Sequence, residues 1–253
     1  MHSIFNYILQ VLYMGCQWQI LPIERDAQEL PQIQYIRIYS TFRRWQAVGC
    51  IHAIFAGSVL RLHDDQLLDL TVIHGDGTTT AANKGGDILG YSGHNHPKAD
   101  KVVALRDRHC NVTAPFVTAA GNSNESPLLH DALPRFSQTT RALGMHLQGV
   151  IVSLDGVYDC PHDRPVIFNR GMVSNISENP RARVTSKCGR KRGFNPAMLE
   201  ERLRTIQRVF AWADKFRRLL LRFERVSEAH CAFKTLAYTM INLRHYRYEV
   251  LTE

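Results

Sequence analysis

Residues 68–76 read LDLTVIHGD, an apolar run that stops on an aspartate held between two glycines, since Gly77 follows Asp76. Short runs rich in Val, Ile and Thr and bounded by turn residues predict strands. Three more follow: DKVVALRD (100–107), NVTAPFVTAAG (111–121) and LQGVIVSLDG (147–156). Between the last two, ESPLLHDALPRFSQTTRAL (125–143) has helical spacing. Three strands, a helix and a strand imply a mixed sheet with a crossover helix on one face, an α/β fold.

Upstream the periodicity differs. Residues 1–62 carry apolar positions three and four apart, with GCQWQILP (15–22) ending on a Pro stop, and predict a small all-helical domain before an α/β domain over 63–253. STFRRWQ (40–46) is its candidate DNA-contacting face. The opening IFNYILQVLYMG (4–15) has no preceding Lys or Arg and is interrupted by Asn6 and Gln10, so it reads as a buried helix and not a signal peptide or membrane span. Its abrupt start at Met1 raises the expectation of a truncated N-terminus.

Hydrophobic residues make up 45% of the 253 and charged residues 21%, a globular composition that argues against disorder or a membrane protein. Six cysteines without a C-x-x-C pair suggest reduced thiols and a cytoplasmic setting, with no zinc ribbon or redox pair. Charge points further: the net value is +8, and residues 181–225 hold fourteen Lys or Arg against four Asp or Glu. Basic residues at this density predict a polyanionic partner, nucleic acid above all.

Asp76 and Asp155 each end a buried apolar run beside a glycine. A carboxylate at a buried strand end is costly unless a cation or metal compensates it, and the glycines leave room for a ligand. As a pair on separate strands of one sheet they predict a divalent-metal site of the kind that cleaves phosphodiesters, where two ions about 4 Å apart clamp the attacking and leaving oxygens. Hard oxygen donors suit Mg²⁺ or Mn²⁺. Residues 203–226, LRTIQRVFAWADKFRRLLLRFERV, predict one long helix with Ile206, Val209, Phe210, Ala213, Phe216, Leu220 and Phe223 on an apolar arc and Arg204, Arg208, Lys215 and Arg222 opposite. Gln207 falls on the border, from which its side chain is expected to reach the metal site.

In ordered blocks covering nearly the whole chain, the sequence resembles the DDE transposases of bacterial insertion sequences. GCQWQILP and TFRRWQAVG resemble the family's N-terminal domain, and DGTTTAANKGGDILGYSGHNHPKADKVVALRD (76–107) the block of its first aspartate. LDGVYD (154–159) resembles the block of the second, and IQRVFAWADKFRRLLLRFER (206–225) the helix of its glutamate. The resemblance implies a ribonuclease-H-like catalytic domain, with Asp76 and Asp155 as the first two catalytic, metal-holding residues. The glutamate's place falls on Gln207, a departure: an amide oxygen can ligate a metal but brings no charge.

It further implies two Mg²⁺ or Mn²⁺ ions, double-stranded DNA as partner, assembly as a homo-oligomer on paired DNA ends, and cleavage followed by strand transfer. Phosphate contacts are expected from His94, Lys98, Arg204, Arg208, Lys215 and Arg218. A second expectation is a catalytically impaired remnant that only binds DNA.

Overall fold

The computed structural model describes residues 1–92, 97–179 and 193–251. Its centre is β1 (Val72–Ala81), which pairs antiparallel with β3 (Lys98–Arg106) from His74 opposite Arg106 to Ala81 opposite Ala99. On its other side the first three residues of β1 run parallel to β5 (Ile151–Leu154), and β6 (Val173–Ile176) runs parallel to β5. β2 (Gly90–Tyr91) and β4 (Val117–Ala120) both pair antiparallel with β3, giving six strands in one mixed sheet. The four expected strands form, though with shifted bounds; β2 and β6 were not anticipated.

The strand β3 explains why its apolar residues run without a break. Val102 and Ala104 face one core and Val103 and Leu105 the other, so the sheet is covered on both faces. The second core is closed by α4 (Glu125–Ala142), the crossover helix, through Leu128, Leu129, Ala132, Leu133 and Phe136. Pro134 lies inside that helix; it removes one N–H without ending the helix, whose buried face holds it in place.

The first core lies under α1 (His2–Met14), α2 (Tyr35–Ala47), α3 (Cys50–Asp64) and the last helix, α7 (Ser227–Leu251). These N-terminal helices share that core with the sheet and α7. Trp18, from the GCQWQILP segment, packs its ring 5.7 Å from Phe42 and 5.9 Å from Phe233, joining α2 to α7. In STFRRWQ, Thr41 and Phe42 are buried and Arg44 is exposed. Among the described residues no single helix is long and apolar enough to cross a membrane.

The long helix expected over 203–226 is not formed. Helix α6 runs from Pro196 to Ala213, started by Asn195, whose side chain accepts from the Ala197 N–H at 3.0 Å, and by Pro196 in the first turn. Asn195 is itself clasped to β6: its N–H donates to the Asn175 side-chain oxygen at 2.8 Å, and Asn175 Nδ2 donates back to its carbonyl at 3.1 Å. Beyond Asp214 the chain turns through a 3₁₀ segment at Arg217–Leu219.

Ion pairs explain the break. Arg218 meets Glu224 at 2.6 Å, whereas in a continuous helix these two would stand about 240° apart around the axis and about 9 Å along it. Arg222 reaches Asp87 at 2.5 Å and lies 3.9 Å from Asp100. Asp100 is fully buried on β3, where Lys234 of α7 comes within 3.5 Å and His230 within 3.8 Å. His230 is also 3.5 Å from Glu224.

This buried network fastens the 214–226 segment and α7 to the sheet, and its loss is measurable. Asp100→Ala leaves the Arg222 and Lys234 cations without their shared anion and is expected to lower the unfolding free energy by about 3–5 kcal/mol in urea denaturation. Acid should weaken the fold as well. Burial, with Lys234 alongside, holds His230 below the usual histidine range, so the unfolded chain takes up that proton first and stability falls as pH drops below about 6.5. Burial alone would raise the Glu224 carboxyl, but His230 and Arg218 hold it below its usual range, so its contribution is full above about 4.5 and lost as pH falls further. A melting temperature that stays flat from pH 7.5 to 5 would contradict this account.

Candidate active site

Parallel pairing of β1 with β5 ends with His74 opposite Ser153. Asp76 and Asp155 each lie two residues past that pair, Asp76 still on β1 and Asp155 one residue beyond the end of β5, in extended backbone. Period-two alternation then puts both side chains on the same side of the sheet as His74 and Ser153. The two aspartates singled out from the sequence are thus brought together.

The glycines around Asp76 do different jobs. A Cβ at Gly75 would come within 2.5 Å of Leu154 and 3.0 Å of Leu105, so Gly75 allows close packing of three strands. A Cβ at Gly77 would lie 2.5 Å from the carboxyl carbon of Glu125, so Gly77 makes room for the Glu125 carboxylate on the sheet face that α4 covers, opposite the face of Asp76. Glu125 opens α4; its Oε1 is 3.3 Å from Lys101 Nζ, and its Oε2 accepts from the Tyr158 hydroxyl at 3.3 Å. Asp155 accepts from the Val157 N–H at 2.9 Å, which starts the 3₁₀ turn Gly156–Tyr158 and brings Tyr158 under the site.

A cation stands between the aspartates. Arg202 of α6, 3% exposed, donates through Nη1 to the Gly75 carbonyl at 3.2 Å; the same nitrogen is 3.5 Å from Asp76 Oδ2, and Nη2 is 3.8 Å from Asp155 Oδ2. Neighbouring contacts fix the helix at this height. Glu201 takes a two-pronged bond from Arg108 at 2.6 and 3.0 Å, and Arg106 donates to the Ile206 carbonyl at 3.2 Å with its guanidinium 4.6 Å over the Phe210 ring. Burial raises the Asp76 carboxyl above the usual carboxylate range, while Arg202 and Arg106 pull it the other way. Burial and the field of Glu125, Asp76 and Asp155 push the Tyr158 phenol well above its usual range, so it stays a donor.

Gln207 is not part of this arrangement. It is exposed and lies about 140° around the helix from Arg202, on the face shared by the exposed Arg204 and Arg208. The border position expected for it rested on a helix whose apolar arc continued through Phe223; with α6 ending at Ala213, the inward face is Arg202, Thr205, Ile206 and Val209.

Among the expected phosphate contacts, Arg204, Arg208 and Lys215 are exposed, and so is Lys98, whose amine lies 5.6 Å over the Tyr91 ring. Arg218 is buried against Glu224 and the Cys16 carbonyl and is withdrawn from any surface in this arrangement. His94 lies outside the described residues, as do residues 181–192 of the basic stretch.

Glu125 and Arg202 are the site residues missed in the sequence. Arg202 had a signal: it lies four residues before Ile206 and seven before Val209, on the apolar arc, where a cation needs an anion. Glu125 was hidden as an ordinary acidic first-turn residue.

The donors are hard oxygens from Asp76 and Asp155, a chemistry that fits Mg²⁺ or Mn²⁺. Among the described residues, no group of three or more His, Cys, Asp or Glu is already gathered in metal-binding geometry. The chain matches no protein-family model and no curated protein.

The fit between Gly77 and Glu125 can be tested directly. Gly77→Ala should cost about 1 kcal/mol or more by displacing the Glu125 carboxyl from Tyr158 and Lys101. In a Glu125→Ala background most of that cost should vanish, as read from a double-mutant cycle of urea midpoints.

Proposed function

We propose that this chain is a DDE-superfamily transposase of the bacterial insertion-sequence type, which binds the terminal inverted repeats of its element and catalyses DNA cleavage and strand transfer. The observation that carries this reading is the register that puts Asp76 on β1 and Asp155 just past the end of β5, each two residues beyond the last β1–β5 pair. The sheet supports it too: with the two-residue β2 set aside, three antiparallel strands, then a crossover helix and two parallel strands, is the order expected of a ribonuclease-H-like domain. The helical segment α1–α3 then serves as a DNA-reading element.

A bound Mg²⁺ or Mn²⁺, two ions in the fullest form of the site, would supply the Lewis acidity that activates water and then a 3′-hydroxyl. Asp76 and Asp155 would hold it, while Glu125 lies against Gly77 on the face that α4 covers. Lys101 offsets the Glu125 charge, and Tyr158 fixes that carboxylate by a hydrogen bond. Outside, Arg204 and Arg208 grip phosphates along the exposed face of α6, with Gln207 between them as a neutral neighbour to the backbone. Pairing two DNA ends in one reaction calls for a homo-oligomer assembled on DNA.

The second reading, a DNA-binding remnant without catalysis, draws on one observation: α6 offers the aspartates a guanidinium instead of a third carboxylate. Supercoiled DNA carrying the inverted repeats, with Mg²⁺ or Mn²⁺, separates the two. The transposase reading expects nicking that Asp76→Asn reduces by at least about 100-fold, while Gln207→Glu, remote from the pair, changes it by less than about threefold. No nicking by the unaltered chain, with specific binding retained, selects the remnant.

Salt titration of binding tests the basic face. The Arg204→Ala/Arg208→Ala double variant should flatten the slope of log affinity against log salt by about 2, roughly 0.9 for each phosphate left without its arginine.

A further inference from the structure

We propose that Arg202 is a resident counter-cation for the aspartate pair, which keeps Asp76 and Asp155 charge-balanced in the metal-free protein and competes with a divalent ion for the same two carboxylates. The inference rests on reading that pair as the metal site.

Four observations carry it. The guanidinium touches both aspartates, at 3.5 and 3.8 Å, from a side chain only 4% exposed. Its one short bond goes to the Gly75 carbonyl at 3.2 Å, and its Nε has no hydrogen-bond partner, so it is held between the carboxylates without the two-pronged pairing an arginine makes when it is committed to one of them. The helix carrying it is pinned independently by Glu201 with Arg108 and by Arg106 on Ile206, so the arginine is delivered to this place by the fold. Arg106, the other cation acting on Asp76, is engaged with the Ile206 carbonyl and the Phe210 ring, and Lys101 with Glu125 and the Ser123 carbonyl, so Arg202 is the cation whose contacts reach both aspartates.

A divalent ion on these carboxylates would lie within a few ångströms of a buried guanidinium, and charges that close in a poorly hydrated site repel strongly. Metal entry therefore requires Arg202 to give up its two ionic contacts. The same contacts balance the charge of the pair whenever no metal is bound, since a buried carboxylate without a cation is costly.

Mn²⁺ binding to the full-length protein, followed by electron paramagnetic resonance and by thermal unfolding in EDTA and in Mn²⁺, tests the idea without reference to DNA cleavage. Arg202→Gln should bind Mn²⁺ at least about tenfold more tightly than the unaltered chain, the change expected from relief of one close charge repulsion. It should also melt lower in EDTA and regain more of its melting temperature on adding Mn²⁺. Arg202→Lys keeps the charge but cannot hold both carboxylates and the Gly75 carbonyl, so its affinity should fall between the two. If Arg202→Gln fails to fold, the comparison of Arg202→Lys with the unaltered chain decides.

Equal Mn²⁺ affinity in all three, abolished by Asp76→Asn, overturns the competition while leaving the metal site standing. Weaker binding in the arginine variants also overturns it, by making Arg202 a positioning residue for the metal. Mn²⁺ binding that Asp76→Asn and Asp155→Asn leave unchanged, in every background, overturns the metal site itself and the competition with it.

Discussion

Three paired residues set the geometry of the candidate site. The parallel ladder from Val72 opposite Ile151 to His74 opposite Ser153 is short, yet it fixes the relative height of two strands that meet nowhere else. Because side chains alternate with period two, a slip of one residue would carry one aspartate to the opposite face of the sheet. That register is defended by packing on both sides: Ile73, Val152 and Leu154 are fully buried in the core under α4, and Gly75 admits the Leu154 side chain where any Cβ would block it.

The charges divide into two populations that the sequence shows as one. Arginines and lysines between 181 and 225 form a single basic run on paper. Among the described residues, Arg202, Arg218 and Arg222 are inside, each answering a carboxylate, while Arg204, Arg208, Lys215, Arg217 and Arg225 are exposed. The second set is the one open to a polyanion. The first set carries tertiary structure, because a buried arginine must be delivered to its partner and the chain bends to do so.

That division explains how much was legible beforehand. The four strand runs and α4 announced themselves by Val and Ile content and by helical spacing, and Asp76 and Asp155 by ending buried runs. The strand β6 did not, since two of its four residues are Ser174 and Asn175, whose partners come from elsewhere in the chain: Arg164 for Ser174, and Ser153 and Asn195 for Asn175. β2 is two residues long and owes its existence to Lys98 and Ala99 opposite. The helix over 203–226 was overextended because its apolar arc continued arithmetically through Phe223, whereas the chain obeyed Asp87 and Asp100, which no local window contains, and the Arg218–Glu224 pair, which a straight helix would hold apart. Gln207 was misplaced for the same reason, and Arg202 and Glu125 became visible only when strands and helices from four parts of the chain met.

The clasp between Asn175 and Asn195 has a mechanical meaning. It closes twenty residues into a loop whose two ends are riveted to each other at the sheet edge. The start of α6 is thereby anchored to the edge strand, and Arg202, seven residues beyond, takes its height above the sheet from that anchor as well as from its own contacts.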